Sequence, residues 1–147
     1  MKKVGEYTAR GQFLEGTIKK IILFDGQFDT AYKVTGFEIW AGDISSGNND
    51  VAAKLSTVNV GAMPSSGDMM NAADNREIAW ASHEVDNALG TGNSFNVIDR
   101  DNLIVEDLFI WAKNSASDPI NYLIEFEKYD ISDWRGALAM VRNRSQT

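Results

Sequence analysis

Apolar and polar positions alternate along much of the chain with a period of two. That is the spacing at which successive side chains fall on opposite faces of a strand. The alternation is cleanest over residues 120–129. There Ile120, Tyr122, Ile124 and Phe126 share one face and Asn121, Glu125 and Glu127 the other, with Leu123 the exception. The pattern predicts a strand with one buried face. The preceding run, 103–113, is apolar on nearly both faces, with Leu103, Val105, Phe109 and Trp111 set against Ile104, Leu108 and Ile110. Glu106 and Asp107 interrupt it, and it predicts a central strand. Residues 114–119 join the two, so they are expected to form a hairpin.

Earlier runs read the same way. Residues 17–24 are β-rich and end at Asp25-Gly26, a dipeptide suited to turns because both residues tolerate positive φ. In the run 31–41, Tyr32 and Val34 have one parity and Phe37 and Ile39 the other. A strand changes parity only by adding a residue, so a bulge or bend is predicted at Gly36. Residues 51–60 read mostly as strand, although 51–55 would also suit a helical turn. Residues 77–83 alternate, with Ile78 and Trp80 expected on one face. Three stretches read as loops by composition: 42–50, 61–75 and 87–93.

The tail differs. Ser132 suits a helix cap and Asp133 its first turn. Trp134, Leu138 and Val141 recur at the spacing of one helical face. Arg142 and Arg144 fall where cations suit a helix C-terminus. Gly136 opposes the helix by about 1 kcal/mol relative to Ala, and residues 137–141 suit a strand equally. Seven or eight short strands with turn-rich connections predict an all-β, antiparallel β-sandwich or jelly roll with a short C-terminal helix or arm. The expected layout is one domain: an N-terminal arm at 1–15, the sandwich at 16–130, and a helix or arm at 131–147.

Length and charge narrow the function. A chain of 147 residues can bury roughly two-thirds of its unfolded surface and needs no disulfide or metal to fold. It has no cysteine, which excludes a thiol nucleophile and a thiolate metal site. No run approaches the roughly 20 apolar residues of a helical membrane span. The first residues, Met1 to Glu6, lack the apolar core of a signal peptide, so a soluble compartment is expected. The net charge of −7 is unevenly placed. Residues 1–20 carry five Lys/Arg against two Glu, residues 21–130 six against eighteen acids, and residues 131–147 three Arg against one Asp. An acidic middle argues against a broad nucleic-acid-binding face. The basic ends suit acidic surfaces of neighbouring copies, although plain solvation explains such charge as well.

Candidate chemistry is sparse. The one histidine, His83, follows Ser82, and neighbours on a strand point to opposite faces, so the two do not form a dyad. Glu125 and Glu127 share a face but read as a solvated one rather than the carboxylate pair of a glycosidase. Two loops offer hard oxygen ligands for calcium: Asp43, Asn48, Asn49 and Asp50, and Asp99, Asp101 and Asn102. Asx-rich loops are more often turn-formers, and no cofactor is expected. Gly90-x-Gly92 lacks the third glycine and following helix of a phosphate loop. Trp40, Trp80 and Trp111 read first as core and second as platforms for a sugar. Trp134 suits an anchor onto another subunit.

Four stretches carry a resemblance: Tyr32-Lys33-Val34-Thr35-Gly36-Phe37-Glu38-Ile39-Trp40, Asp74-Asn75-Arg76-Glu77-Ile78-Ala79-Trp80-Ala81, Asp101-Asn102-Leu103-Ile104-Val105-Glu106-Asp107-Leu108 and Ile120-Asn121-Tyr122-Leu123-Ile124-Glu125. They resemble small virion structural proteins of bacteriophages, marine ones especially. The resemblance implies a β-sandwich subunit present in many copies in a particle, made in the host cytoplasm and without enzymatic activity. Its partners would be itself and other virion proteins, with no direct nucleic acid and no membrane. Trp134, Leu138, Val141, Arg142 and Arg144 are the interface candidates. The alternative is a carbohydrate-binding or receptor-binding module for a surface glycan, with calcium in an Asx-rich loop.

Overall fold

The computed structural model describes residues 1–44, 48–59, 70–86 and 91–134, without the side chains of Thr91 and Trp134. Eight strands run through these residues: β1 (Lys2–Phe13), β2 (Ile18–Ile21), β3 (Thr30–Ala41), β4 (Asn49–Ser56), β5 (Glu77–Asp86), β6 (Thr91–Ile98), β7 (Leu108–Asn114) and β8 (Ile120–Asp130). They form two antiparallel sheets, one in the order β1-β8-β3 and the other β2-β7-β4-β5-β6. The protein is an all-β sandwich.

The order follows from a long strip folded on itself. β1 lies beside β8, β2 beside β7 and β4 beside β5, the nested pairing of a jelly roll. β6 departs from that scheme, in which it would join β3. It pairs instead with β5, and a side chain links it to β3: Asn96 Nδ2 donates to the Phe37 carbonyl at 3.0 Å.

The core fills the space between the sheets. Phe13, Val34, Phe37, Ile39, Ile120, Tyr122, Ile124 and Phe126 come from one sheet, and Ile21, Val51, Leu55, Ile78, Leu108 and Ile110 from the other. Each such side chain contributes about 1.5–3 kcal/mol by leaving water. The alternation of β8 is as expected, with Ile120, Tyr122, Ile124 and Phe126 all buried. β7 is a central strand between β2 and β4.

The predicted bulge in β3 is present. The register with β8 shifts between Val34 and Gly36, so Thr35 is the extra residue, and Val34 and Phe37 both face the core. The Asp25-Gly26 turn is present too: Gly26 has φ +83°, and the Gln27 N–H donates to Asp25 Oδ1 at 2.8 Å.

Three expectations are corrected. β7 and β8 are not a hairpin, because they belong to opposite sheets. Their buried faces oppose each other across the core, and the link between them arches over its end. Asn114 holds that arch: it is buried, accepts the Ala116 N–H at 3.0 Å and donates to Asn49 Oδ1 at 3.1 Å. The expected arm at 1–15 is instead β1, paired with β8 from Lys2 to Phe13. The run from Leu103 becomes a strand only at Leu108, with Ile104 forming an isolated bridge to Tyr32.

The start of the tail belongs to the sandwich. Ile131 is fully buried and its N–H donates to the Asp29 carbonyl at 2.9 Å. Ser132–Trp134 is a single 3₁₀ turn. The helix or arm expected beyond it, with Leu138, Val141, Arg142 and Arg144, lies outside the described residues, as does the Trp134 side chain.

Candidate functional site

The rim where β3 faces β5 and β6 carries a groove of about 330 Å³. It is lined from β3 by Phe37 to Trp40, from β5 by Ala81 to His83 and from β6 by Ser94 to Asn96. The groove exists because β6 pairs with β5 and, among the described residues, leaves β3 beyond its Tyr32–Ile104 bridge without a strand on that edge. Strand parity sorts its lining. Trp40 is opposite Asn121 in the register, on the outer face of the three-stranded sheet, and is 38% exposed. His83 is opposite Val51 and Ser94 and so turns inward, whereas Ser82 is opposite Phe95 and turns outward. The two therefore point apart, as their adjacency in sequence requires. His83 Nδ1 is buried and has no hydrogen-bond partner among the described residues. The groove lining thus combines the polar residues Glu38, Ser94 and His83 with the aromatic residues Trp40 and Phe95, a mixture suited to a small polar ligand.

A second polar cluster lies on the outer face of the five-stranded sheet. A register shift between Leu55 and Ser56 against β5 makes Ile78 an extra residue. It sends Ile78 into the core and turns Glu77 to the outer face, where Lys54 and Trp80 are register partners. Ile78 and Trp80, expected on one face, are therefore on opposite faces. Lys54 Nζ and Glu77 Oε2 form an ion pair at 3.0 Å with side chains only 5% and 3% exposed. Glu77 Oε1 accepts from Trp80 Nε1 and from the Asn71 N–H, both at 2.9 Å. Lys54 Nζ also lies 4.8 Å from the centre of the Trp111 ring. Trp111 is fully buried, and its indole N–H has no partner among the described residues. A buried carboxylate with three donors and a buried ammonium against an aromatic face satisfy each other, which makes this a structural cluster.

None of Trp40, Trp80 and Trp111 lies in the core between the sheets. Each occupies the outward parity of its strand. The sequence signal was available in β3 and β7, where Phe37 and Ile39, and Leu108 and Ile110, fill the inward parity that Trp40 and Trp111 do not share.

Contacts within the protein engage parts of both Asx-rich loops. Asn49 is buried and donates to the Asp43 carbonyl at 3.0 Å, and the Asp50 N–H donates to Ser115 Oγ at 3.1 Å. The Asp101 N–H donates to Asp99 Oδ1 at 3.2 Å. No group of three or more His, Asp or Glu able to hold a metal is present among the described residues. Glu125 and Glu127 do share the outer face of β8. Glu127 pairs with Lys3 at 3.0 Å, and this hydrogen bond is the main cause that holds its carboxyl below the usual range.

Sequence reasoning missed β6 altogether. Thr91 to Asn93 reads as the end of the loop 87–93 because Gly92 and Asn93 are turn-formers, and residues 94–98 are assigned to no element. The signal present was the final Phe95-x-Val97 alternation. Phe95 and Val97 are 50% and 55% exposed on the outer face. No family model, curated protein or solved structure matches this chain.

Proposed function

We propose that the chain is a non-catalytic structural subunit of a virion, working by self-association and by contacts with neighbouring virion proteins. The observation that carries this reading is an apolar pair, Phe95 and Val97, standing exposed on an uncharged edge strand. Exposed apolar surface on a strand edge is a surface for association. The nested eight-strand topology agrees with it, since capsid subunits use jelly rolls, but so do lectins, and fold alone does not choose. The deciding measurement is solution mass by light scattering across a range of chain concentration. A defined oligomer or larger particle is the expected result, and a strict monomer at every concentration would remove the reading.

The groove favours a second reading, a glycan- or receptor-binding module. Trp40 is exposed at the groove and is followed within three residues by Asp43. This reading expects a change in tryptophan fluorescence on adding a saccharide, abolished by Trp40→Ala. An unchanged spectrum across a panel of glycans, with and without calcium, sinks it.

A further inference from the structure

The two sheets have four edges, and they are not equally protected. β1 carries Lys2, Lys3, Glu6 and Arg10 and is bulged between Lys3 and Gly5. β2 is four residues long and half of it is lysine. β3 carries Lys33 and Glu38 and is bulged at Thr35. Short length, charge and bulges are the devices that stop an edge from pairing with another chain. β6 has none of them: eight residues, no charge, no proline and an unbroken register from Ala79–Ile98 to Asp86–Thr91. Its outward residues include the most exposed apolar pair on any strand edge of the larger sheet, Phe95 and Val97.

We infer that two copies of this chain join through β6, antiparallel and about a twofold axis at Asn96, into one continuous ten-stranded sheet. The inference rests on the self-association reading and names its surface. The occupant is a second copy because the edge is self-complementary. Antiparallel pairing sets residues of the same parity face to face across the join. With Asn96 opposite its own counterpart, Phe95 of each copy meets Val97 of the other, twice, and Ser94 meets Ile98. Asn93 then faces Asp99, so no two like charges oppose each other. That matters for a chain of net charge −7, whose copies otherwise repel. A shift by two residues would leave either Val97 facing Asn93 or Phe95 facing Asp99, and in both cases lose the two mixed apolar pairs.

The test compares the full chain with two double variants, by light scattering from micromolar to millimolar concentration and with circular dichroism to check the fold. Phe95 and Val97 face outward, so charged replacements leave the core untouched. The wild type is expected to reach twice the 16.2 kDa chain mass. Phe95→Lys/Val97→Lys sets lysine against lysine twice and is expected to weaken the dimer at least about a hundredfold. Phe95→Lys/Val97→Glu sets opposite charges against each other in this register alone and is expected to stay within about tenfold of wild type. An oligomer that survives the double lysine variant overturns the β6 interface and leaves self-association standing elsewhere. A wild type that never exceeds monomer mass overturns both. Equal loss in the two double variants overturns the proposed register and twofold arrangement.

Discussion

The Tyr122 ring lies directly over Gly11, its register partner on β1, with the hydroxyl oxygen 2.8 Å and two ring carbons 3.1 Å from where a β-carbon at residue 11 would stand. The ring covers the glycine and meets Phe13 edge-on, with centroids 5.9 Å apart. Tyr122 is 4% exposed and hemmed in by the core, so it has little room to yield. Gly11→Ala is therefore expected to cost about 1–3 kcal/mol by overpacking, read as a lower urea midpoint with an unchanged slope. Tyr122→Phe in the same background removes the nearest atom and should recover part of the loss.

Lys54→Ala leaves Glu77 buried with its cation gone, and about 3–5 kcal/mol of destabilisation is expected. Lys54→Met with Glu77→Gln keeps the volume and removes both charges. It should cost far less than the single change, because a buried ion pair repays little more than its own desolvation. Chemical denaturation of the wild type and the two variants decides this, and equal losses in the two variants would show that the pair is not coupled.

Asp107 closes the start of the β2–β3 connection. Its Oδ1 accepts the N–H groups of Leu23 and Phe24 at 2.9 and 3.1 Å, and Lys20 Nζ lies 3.2 Å from Oδ2. Burial acts to raise its pKa, but these donors together outweigh burial and lower it. Asp107→Ala should cost about 2 kcal/mol, as for hydrogen bonds to a charged acceptor. Loss of near-ultraviolet signal from Phe24 and Phe28, whose rings meet at 5.0 Å, should accompany it.

Acid should unfold the protein over a narrow window. Asp74 is held at about 2 from an ordinary 3.8, chiefly by its hydrogen bonds from Arg76. Asp25, Asp107, Glu127 and Asp130 are lowered as well. A carboxyl whose folded pKa is depressed stabilises the fold above its unfolded pKa and ceases to as pH falls through the folded value. Melting temperature should therefore be flat above about pH 5 and fall between about pH 4 and 2. Asp74→Asn should flatten the low end of that fall, and an unaltered profile would show that Arg76 does not hold this carboxyl.

Ser117 has φ +59° at the end of the turn in the β7–β8 arch, where its N–H donates to the Asn114 carbonyl at 3.2 Å. An L-residue pays about 1–2 kcal/mol there. Ser117→Gly is expected to raise stability by about 0.5–1 kcal/mol, measured by thermal melting. A decrease would mean that the serine hydroxyl is needed in the arch.

Much of the fold was legible where parity was strong. β8 shows its buried face in Ile120, Tyr122, Ile124 and Phe126, and the switch between Val34 and Phe37 in β3 gives away the bulge. β1 shows period two as well, with Tyr7, Ala9, Gly11 and Phe13 inward, but of these only Phe13 is buried, and glycine and alanine carry little signal. Partnership was not legible. Nothing in residues 103–129 says whether two adjacent strands pair edge to edge or face each other across a core, because both arrangements bury one face of each. The site was legible only in part for the same reason: Trp40 and Phe95 line one groove through the order of strands, and the sequence between them does not encode that order.

Nested pairing also sets a timetable for synthesis. Gln12 finds Asn121 109 residues later, and among the described residues β1 has no strand partner but β8. On a ribosome β1 emerges long before β8 exists, and it must wait, unpaired, while β2 to β7 are made. Its charges, Lys2, Lys3, Glu6 and Arg10, keep it dispersed during that wait. The smaller sheet can therefore close only after translation has passed β8, and contacts of such long range make that closure slow.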